Sequence, residues 1–188
     1  MTQGPTITAA TPADAAEVAA IYAHHVLHGT ATFEVEPPPP AEMARRMAAL
    51  HEAGHPWLIA RDEGGEALGY AYAGAFHPRA AYRFTCEDSI YLRHDRLGRG
   101  LGAALLGAVI EAAAASGFRQ MMAKIVASAA GEDAQGDEGG SVRLHRRFGF
   151  AEAGRMRAVG WKHGRWLDVV IMQRALGPGD GAPPAEAP

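Results

Sequence analysis

Between Arg96 and Gly117 the chain reads RLGRGLGAALLGAVIEAAAASG. Glycines at 98, 100 and 102 crowd the point where a long apolar helix begins. Glycine weakens a helix start and adds nothing to a core, so this junction is built for something that comes close to the backbone. A helix N-terminus carries unpaired N–H groups and a partial positive charge, which suits a phosphate. The chain is thereby confined to folds in which a strand runs through a glycine turn into a phosphate-binding helix.

The flanking segments supply the rest of such a fold. ITAATPADAAEVAAIYAHHVLHG opens on a short β-like stretch, and Thr11-Pro12 then reads as an N-cap with proline at the first helical position. Gly29 stops that helix. Four prolines at 37–40 form a stiff connection to a second helix carrying Met43, Met47 and Leu50 on one side. WLIAR, ALGYAYAGAF and CEDSIYL read as strands. The helix after the glycines has Leu101, Leu105, Ala108, Val109 and Ala112 as its expected buried stripe. RQMMAKIV is a strand, SVRLHRRFGF a short helix, and AEAGRMRAVGWK with RWLDVVIMQRAL the last two strands. The order predicts an α/β domain with a mixed, twisted sheet of about six to seven strands flanked by about four helices.

The 188 residues suit one domain, expected over 1–175. Within it, 127–140 is acidic, glycine-rich and without period, and predicts a flexible insert. The composition of 176–188 predicts a disordered Gly/Pro/Ala tail. A net charge of −3 with scattered basic residues gives no nucleic-acid surface. Cys86 is the single cysteine, which removes a disulfide framework and a cysteine metal cluster. No apolar run reaches membrane length, and the first residues lack a signal-peptide pattern, so the expected location is cytoplasmic.

Two motifs point elsewhere and fail on physical grounds. HEAGH at 51–55 has the two-histidine spacing of a zinc protease, but that chemistry needs both histidines on one helix face. Gly54 sits inside the motif and Pro56 biases His55 away from helix, so no metal is expected. Gly98, Gly100 and Ala103 match a dinucleotide fingerprint, but the next strand offers Lys124 where a ribose-binding carboxylate is wanted.

A strand, GRGLGAALL, a long helix, a strand, a short helix and FGF together resemble the GNAT superfamily of N-acetyltransferases. Positions 97–102 match its phosphate loop, with Leu97 in place of the leading Gln or Arg. IYAHHVLHGTATFEVEPP, YAYAGAFHPRAAYRFTCEDSIYL, SVRLHRRFGF and VGWKHGRWLDVVIMQ narrow the resemblance to the phosphinothricin and methionine-sulfoximine acetyltransferases, over about residues 6–175. The resemblance implies acetyl-CoA as co-substrate, a small amino-acid analogue as acceptor, and a homodimer. One departure is the loop before SVRLH, where the subfamily has an asparagine and this chain has its acidic insert.

Backbone groups from Arg99 to Ala103, with Gly98, Gly100, Leu101 and Gly102, are expected to surround the pyrophosphate. The resemblance implies that Ile90, Tyr91 and Leu92 pair with the pantetheine arm, with the Leu92 N–H as oxyanion donor, and that Ser141 also contacts the co-substrate. Glu87 is open to two readings: a base for the acceptor amine, or a salt bridge with an arginine such as Arg83. Asp88 should point to the opposite face. By resemblance His145 stands where other members have a tyrosine that protonates the thiolate; otherwise it packs as a helix histidine. Substrate contacts are expected from Phe33, Glu34, Arg79, Tyr82, Arg83, Lys162 and Trp166, with Trp161 walling the pocket or a dimer contact. Two rival functions remain at this level: a GNAT enzyme for another amine, and a non-catalytic acetyl-CoA-binding module.

Overall fold

The computed structural model describes residues 4–98, 100–128 and 139–183. Arg99, most of the acidic insert and the last five residues lie outside them.

Seven strands form one sheet in the order β1-β2-β3-β4-β5-β7-β6. They are β1 (Thr6–Ala9), β2 (Trp57–Arg61), β3 (Ala67–Ala75), β4 (Thr85–Leu92), β5 (Gln120–Ser128), β6 (Ala151–Lys162) and β7 (Arg165–Ala175). Among the described residues four α-helices complete the fold: α1 (Ala15–His28), α2 (Pro40–Glu52), α3 (Leu101–Ala115) and α4 (Gly140–Arg147). The expected element order and strand count hold.

Strand alternation divides the core in two. Trp57, Ile59, Tyr70 and Tyr91 face α1 and α2, where they meet Val18, Tyr22, Val26 and Met47. Ala60, Ala71, Ala73 and Cys86 face α3, and these small side chains let the helix lie close to the sheet. On α3 the buried set is Leu101, Leu105, Leu106, Val109, Ile110 and Ala113. Leu106, Ile110 and Ala113 replace the expected Ala108 and Ala112, because a helix apolar nearly all round gives no unique stripe.

β4 pairs with its neighbours unequally. Against β3 it is antiparallel over its length, from Ala75↔Cys86 to Gly69↔Leu92. Against β5 it is parallel, and only Thr85, Cys86 and Glu87 have partners. From Asp88 onward the two strands diverge, and a wedge opens in the middle of the sheet.

The last hairpin is bent by a bulge. Met156 pairs with Val169 and Gly160 with Leu167, so three β6 residues stand against Asp168 alone. Ala158 takes φ 51° there. Its N–H donates to Asp168 Oδ1 at 2.8 Å, while Arg155 Nε donates to Oδ2 at 2.8 Å.

The tail departs from its composition. Leu176 is buried, and Arg119 donates to the carbonyls of Gly179 and Ala182. One leucine that fits the α3 core and one arginine that collects carbonyls hold the chain as far as residue 182.

Candidate active site

The wedge between β4 and β5 is a cavity of about 500 Å³. Glu87, Asp88, Ser89, Ile90 and Tyr91 line it from β4, and Ala123 to Val126 from β5. Phe33 and Thr32 close it from the α1–α2 connection, Ser141 and His145 from α4, and Met156, Val159 and Val169 from the last hairpin.

Its two faces carry different chemistry. Glu87 belongs to the α1/α2 side of β4 and Asp88 to the α3/α4 side, as the strand period requires. Glu87 Oε2 meets Lys124 Nζ at 2.7 Å, so its cation comes from β5 and not from Arg83. Lys124 also sits over the Phe76 ring, 5.5 Å from its centroid. On the other side His145 Nε2 lies 3.1 Å from Asp88 Oδ2. His145 Nδ1 donates to the Ser141 carbonyl at 2.7 Å, and the imidazole packs edge-on to Phe150. Burial pulls the imidazole pKa down, but the hydrogen bond and charge of Asp88, helped by the Ser141 carbonyl, outweigh it and raise it above the ordinary value of 6.5.

The glycine turn lies at the end of β4. Gly98 and Gly100 have φ 78° and 77°, and Gly100 is the N-cap of α3. This left-handed conformation costs glycine little. It turns the first N–H groups of α3, those of Leu101, Gly102 and Ala103, outward without intrahelical partners. A Cβ added at Gly102 would lie 3.4 Å from Leu144 and 3.5 Å from Leu92, so the turn packs against α4 and the end of β4. The unpaired β4 edge and these amides fit an extended chain ending in a diphosphate. Leu92 itself does not line the cavity; its carbonyl accepts from His25 Nε2 at 2.7 Å.

The structure gathers Phe33, Glu87, Ile90, Tyr91, Ser141 and His145 around one cavity and leaves other expected residues outside it. Glu34 accepts hydrogen bonds from Arg46 at 2.7 Å and Tyr22 at 3.0 Å, tying the α1–α2 connection to both helices. Lys162 is buried. Its Nζ donates to the Thr32 carbonyl at 2.8 Å and, more distantly, to that of His25, so it clamps the segment bearing Phe33 to the hairpin, outside the residues that line the cavity. Arg79, Tyr82 and Arg83 lie in an exposed turn; Tyr82 packs on Phe76 and His77, and Arg83 covers Phe84. Trp166 is 55% exposed and packs on Trp161 on the outer surface. Two residues are additions to the expected site, Lys124 and Asp88. α2 ends at Glu52, and His55 packs on Phe118, so the HEAGH histidines share no helix face. Among the described residues no group of acidic, histidine or cysteine side chains is placed to hold a metal, and no helix is long and apolar enough to cross a membrane.

A sheet split beside a glycine-capped helix defines an acetyltransferase scaffold, and the chain belongs to the GNAT acetyltransferase family, whose domain profile matches residues 7–171. Its relatives are more specific. It is 45% identical to a phosphinothricin N-acetyltransferase of Alcaligenes faecalis over 169 residues, 89% of this chain and 80% of that one. It is 40% identical to an L-methionine sulfoximine/L-methionine sulfone acetyltransferase of Pseudomonas aeruginosa over 174 residues, 91% of this chain and 94% of the other. A crystal structure of a phosphinothricin acetyltransferase from Sinorhizobium meliloti in complex with AcCoA superposes with a TM-score of 0.90 at 45% identity, covering 98% of this chain and 95% of that one.

Proposed function

We propose that this enzyme transfers the acetyl group of acetyl-CoA directly to the amino group of a small amino-acid analogue of the phosphinothricin or methionine-sulfoximine kind. The observation that carries the reading is the split between β4 and β5, with a carboxylate on one face and an imidazole on the other. The relatives named above act on such acceptors, and one solved neighbour holds AcCoA.

The residues divide the work. Amides of the α3 first turn hold the diphosphate, with Gly98, Gly100 and Gly102 permitting its approach. The free β4 edge at Ile90 to Leu92 aligns the thioester arm and offers an N–H to the carbonyl oxygen as charge develops there. Glu87 takes a proton from the acceptor ammonium as its general base. His145 serves the departing sulfur. Phe33, on the segment clamped by Lys162, borders the acceptor's side of the cavity.

The hairpin surface supports a homodimer. Met156, Val159, Trp161 and Trp166 are all exposed on this hairpin, and the two tryptophans pack on each other beside its turn, more apolar surface than a hairpin in water needs. Sedimentation at micromolar concentration reads this, and a monomer refutes it.

The decisive experiment is a panel of amino acids, their phosphinate, sulfoximine and sulfone analogues, polyamines and a peptide, each with acetyl-CoA and followed as free thiol. Turnover restricted to the analogues is expected. Turnover of polyamines or the peptide alone replaces the acceptor, and none on any amine refutes the enzyme reading.

A further inference from the structure

Asp88 has no task in the division of work above, yet it lies in the wall of the wedge with a side chain only 2% exposed. A buried carboxylate is costly unless paired. Its single partner among the described residues is His145 Nε2, and its Oδ1 is buried without a hydrogen-bond partner.

The proton inventory of this pair follows from its acceptors. The Ser141 carbonyl can only accept, so Nδ1 carries a hydrogen. Nε2 faces a carboxylate oxygen, so a second proton lies between Nε2 and Oδ2. A raised imidazole pKa favours that proton on nitrogen. The pair is then neutral as a unit and holds one transferable proton, on the opposite face of β4 from Glu87. The surrounding titratable groups do not compete for it. Cys86, on the same face of β4, has its thiol pushed up to about 12, first by burial and then by the Asp88 charge. Glu87 and Lys124 are bound to each other across the wedge. From α4 the pair meets the Ser141 carbonyl, and from the connection just before β6 the Phe150 ring.

We propose that Asp88 is the positioning residue that keeps His145 doubly protonated, so that the Asp88–His145 pair, and not the imidazole alone, protonates the departing thiolate. This rests on the acetyltransferase reading. As the tetrahedral adduct collapses, the carbon–sulfur bond breaks and its electron pair goes to sulfur. The departing sulfur takes the place of Oδ2 as acceptor of the Nε2–H, and that proton passes to it, leaving the pair with a neutral imidazole, still protonated at Nδ1, and the Asp88 carboxylate. A proton from solvent, where the acceptor ammonium's surplus proton is released, restores Nε2–H once the thiol has left. Free to rotate and singly protonated, a histidine at this position offers no such donor; the carboxylate fixes both its ring orientation and its charge.

The test compares Asp88→Asn with the parent enzyme on the best acceptor of the panel. Asparagine preserves shape but offers Nε2 a donor, which forces the neutral imidazole. With acetyl-CoA, kcat should fall about 100-fold, the scale of one lost acid. With an acetyl thioester of an electron-poor aryl thiol, which leaves unaided, the loss should stay within about threefold. The basic limb of the kcat–pH profile should move to lower pH. His145→Ala combined with Asp88→Asn should cost no more than the larger single loss. Equal losses on both thioesters, or an unmoved basic limb, overturn the proposal. Melting temperature and CoA affinity report folding, and Asp88→Ser serves if the asparagine variant does not fold. Ring-nitrogen chemical shifts of His145 read the pair without turnover. Two protonated nitrogens at neutral pH are expected in the parent, and one overturns the proposal even if the acceptor panel has failed.

Discussion

Replacing Asp168 by alanine should unfold the last hairpin before it touches any chemistry. The carboxylate is 2% exposed and serves two donors, the Ala158 N–H and Arg155. Without it the Ala158 amide inside the bulge loses its acceptor, at about 1–3 kcal/mol. The φ of 51° at Ala158 also loses its anchor, at roughly 1 kcal/mol. Arg155 contributes little to the sum, because its side chain is 34% exposed and water replaces the ion pair. The total is about 3 kcal/mol, and a domain of this size loses roughly 2–4 °C of melting temperature per kcal/mol. Scanning calorimetry and urea unfolding measure it. Met156 and Val159 line the cavity from this hairpin, so activity should fall with it. The hydrogen bond from Ala158, against the cost of burial and with help from Arg155, holds the Asp168 pKa below its ordinary 3.8. A depressed carboxylate stabilises fully above its unfolded value and loses that contribution as pH falls through the folded one. The gap between parent and Asp168→Asn should therefore be flat from about pH 5 to 8 and shrink below about pH 4. A destabilisation of Asp168→Ala under about 0.5 kcal/mol would refute the reasoning.

Three further perturbations address the site. Gly100→Val places a β-branched residue at φ 77° where no side chain crowds it, so the cost lies in the backbone; the KM for acetyl-CoA should rise at least about tenfold, and Gly100→Asn, which tolerates this conformation, should recover most of it. Lys162→Met should lower stability by about 1–3 kcal/mol through the abandoned Thr32 carbonyl while leaving the KM ratio between an amino acid and its carboxamide unchanged; a collapse of that ratio would return Lys162 to the substrate. Glu87→Gln should depress kcat at neutral pH and recover towards high pH, where the acceptor amine is already neutral; loss without recovery would make Glu87 an anchor for the amine and not its base.

Local pattern made some of this legible and three-dimensional register hid the rest. The glycines before α3 announce their φ values, because few other residues tolerate them. The opposite placement of Glu87 and Asp88 follows from strand period alone. The Lys124–Glu87 contact depends instead on how a parallel pair aligns across a helix, which no window of sequence reports. Lys162 shows the opposite trap. Simple alternation along β6 is broken by the bulge at 157–159, and beyond it Gly160 and Lys162 point inward while Trp161 points out. The exposed turn holding Arg79, Tyr82 and Arg83 looks like a binding loop by residue type; in the fold it lies apart from the cavity, with Tyr82 on the Phe76 and His77 rings and Arg83 over Phe84. Leu176 lay in a stretch whose glycine and proline content masked one core residue.

The short pairing between β4 and β5 also has a mechanical consequence. Only Thr85, Cys86 and Glu87 of β4, with the Phe84 carbonyl just before them, join β1–β4 to β5–β7 through backbone pairing, so the sheet is two halves held together by one short seam. An extended ligand lying along Asp88–Leu92 acts as a missing strand and splices the halves. Such a ligand should slow amide hydrogen exchange on both sides of the seam at once, and saturation at 100 times Kd should add about 2.7 kcal/mol of stability. The cleft is in this sense an unfinished sheet, which a co-substrate lying along β4 would complete and its release reopen.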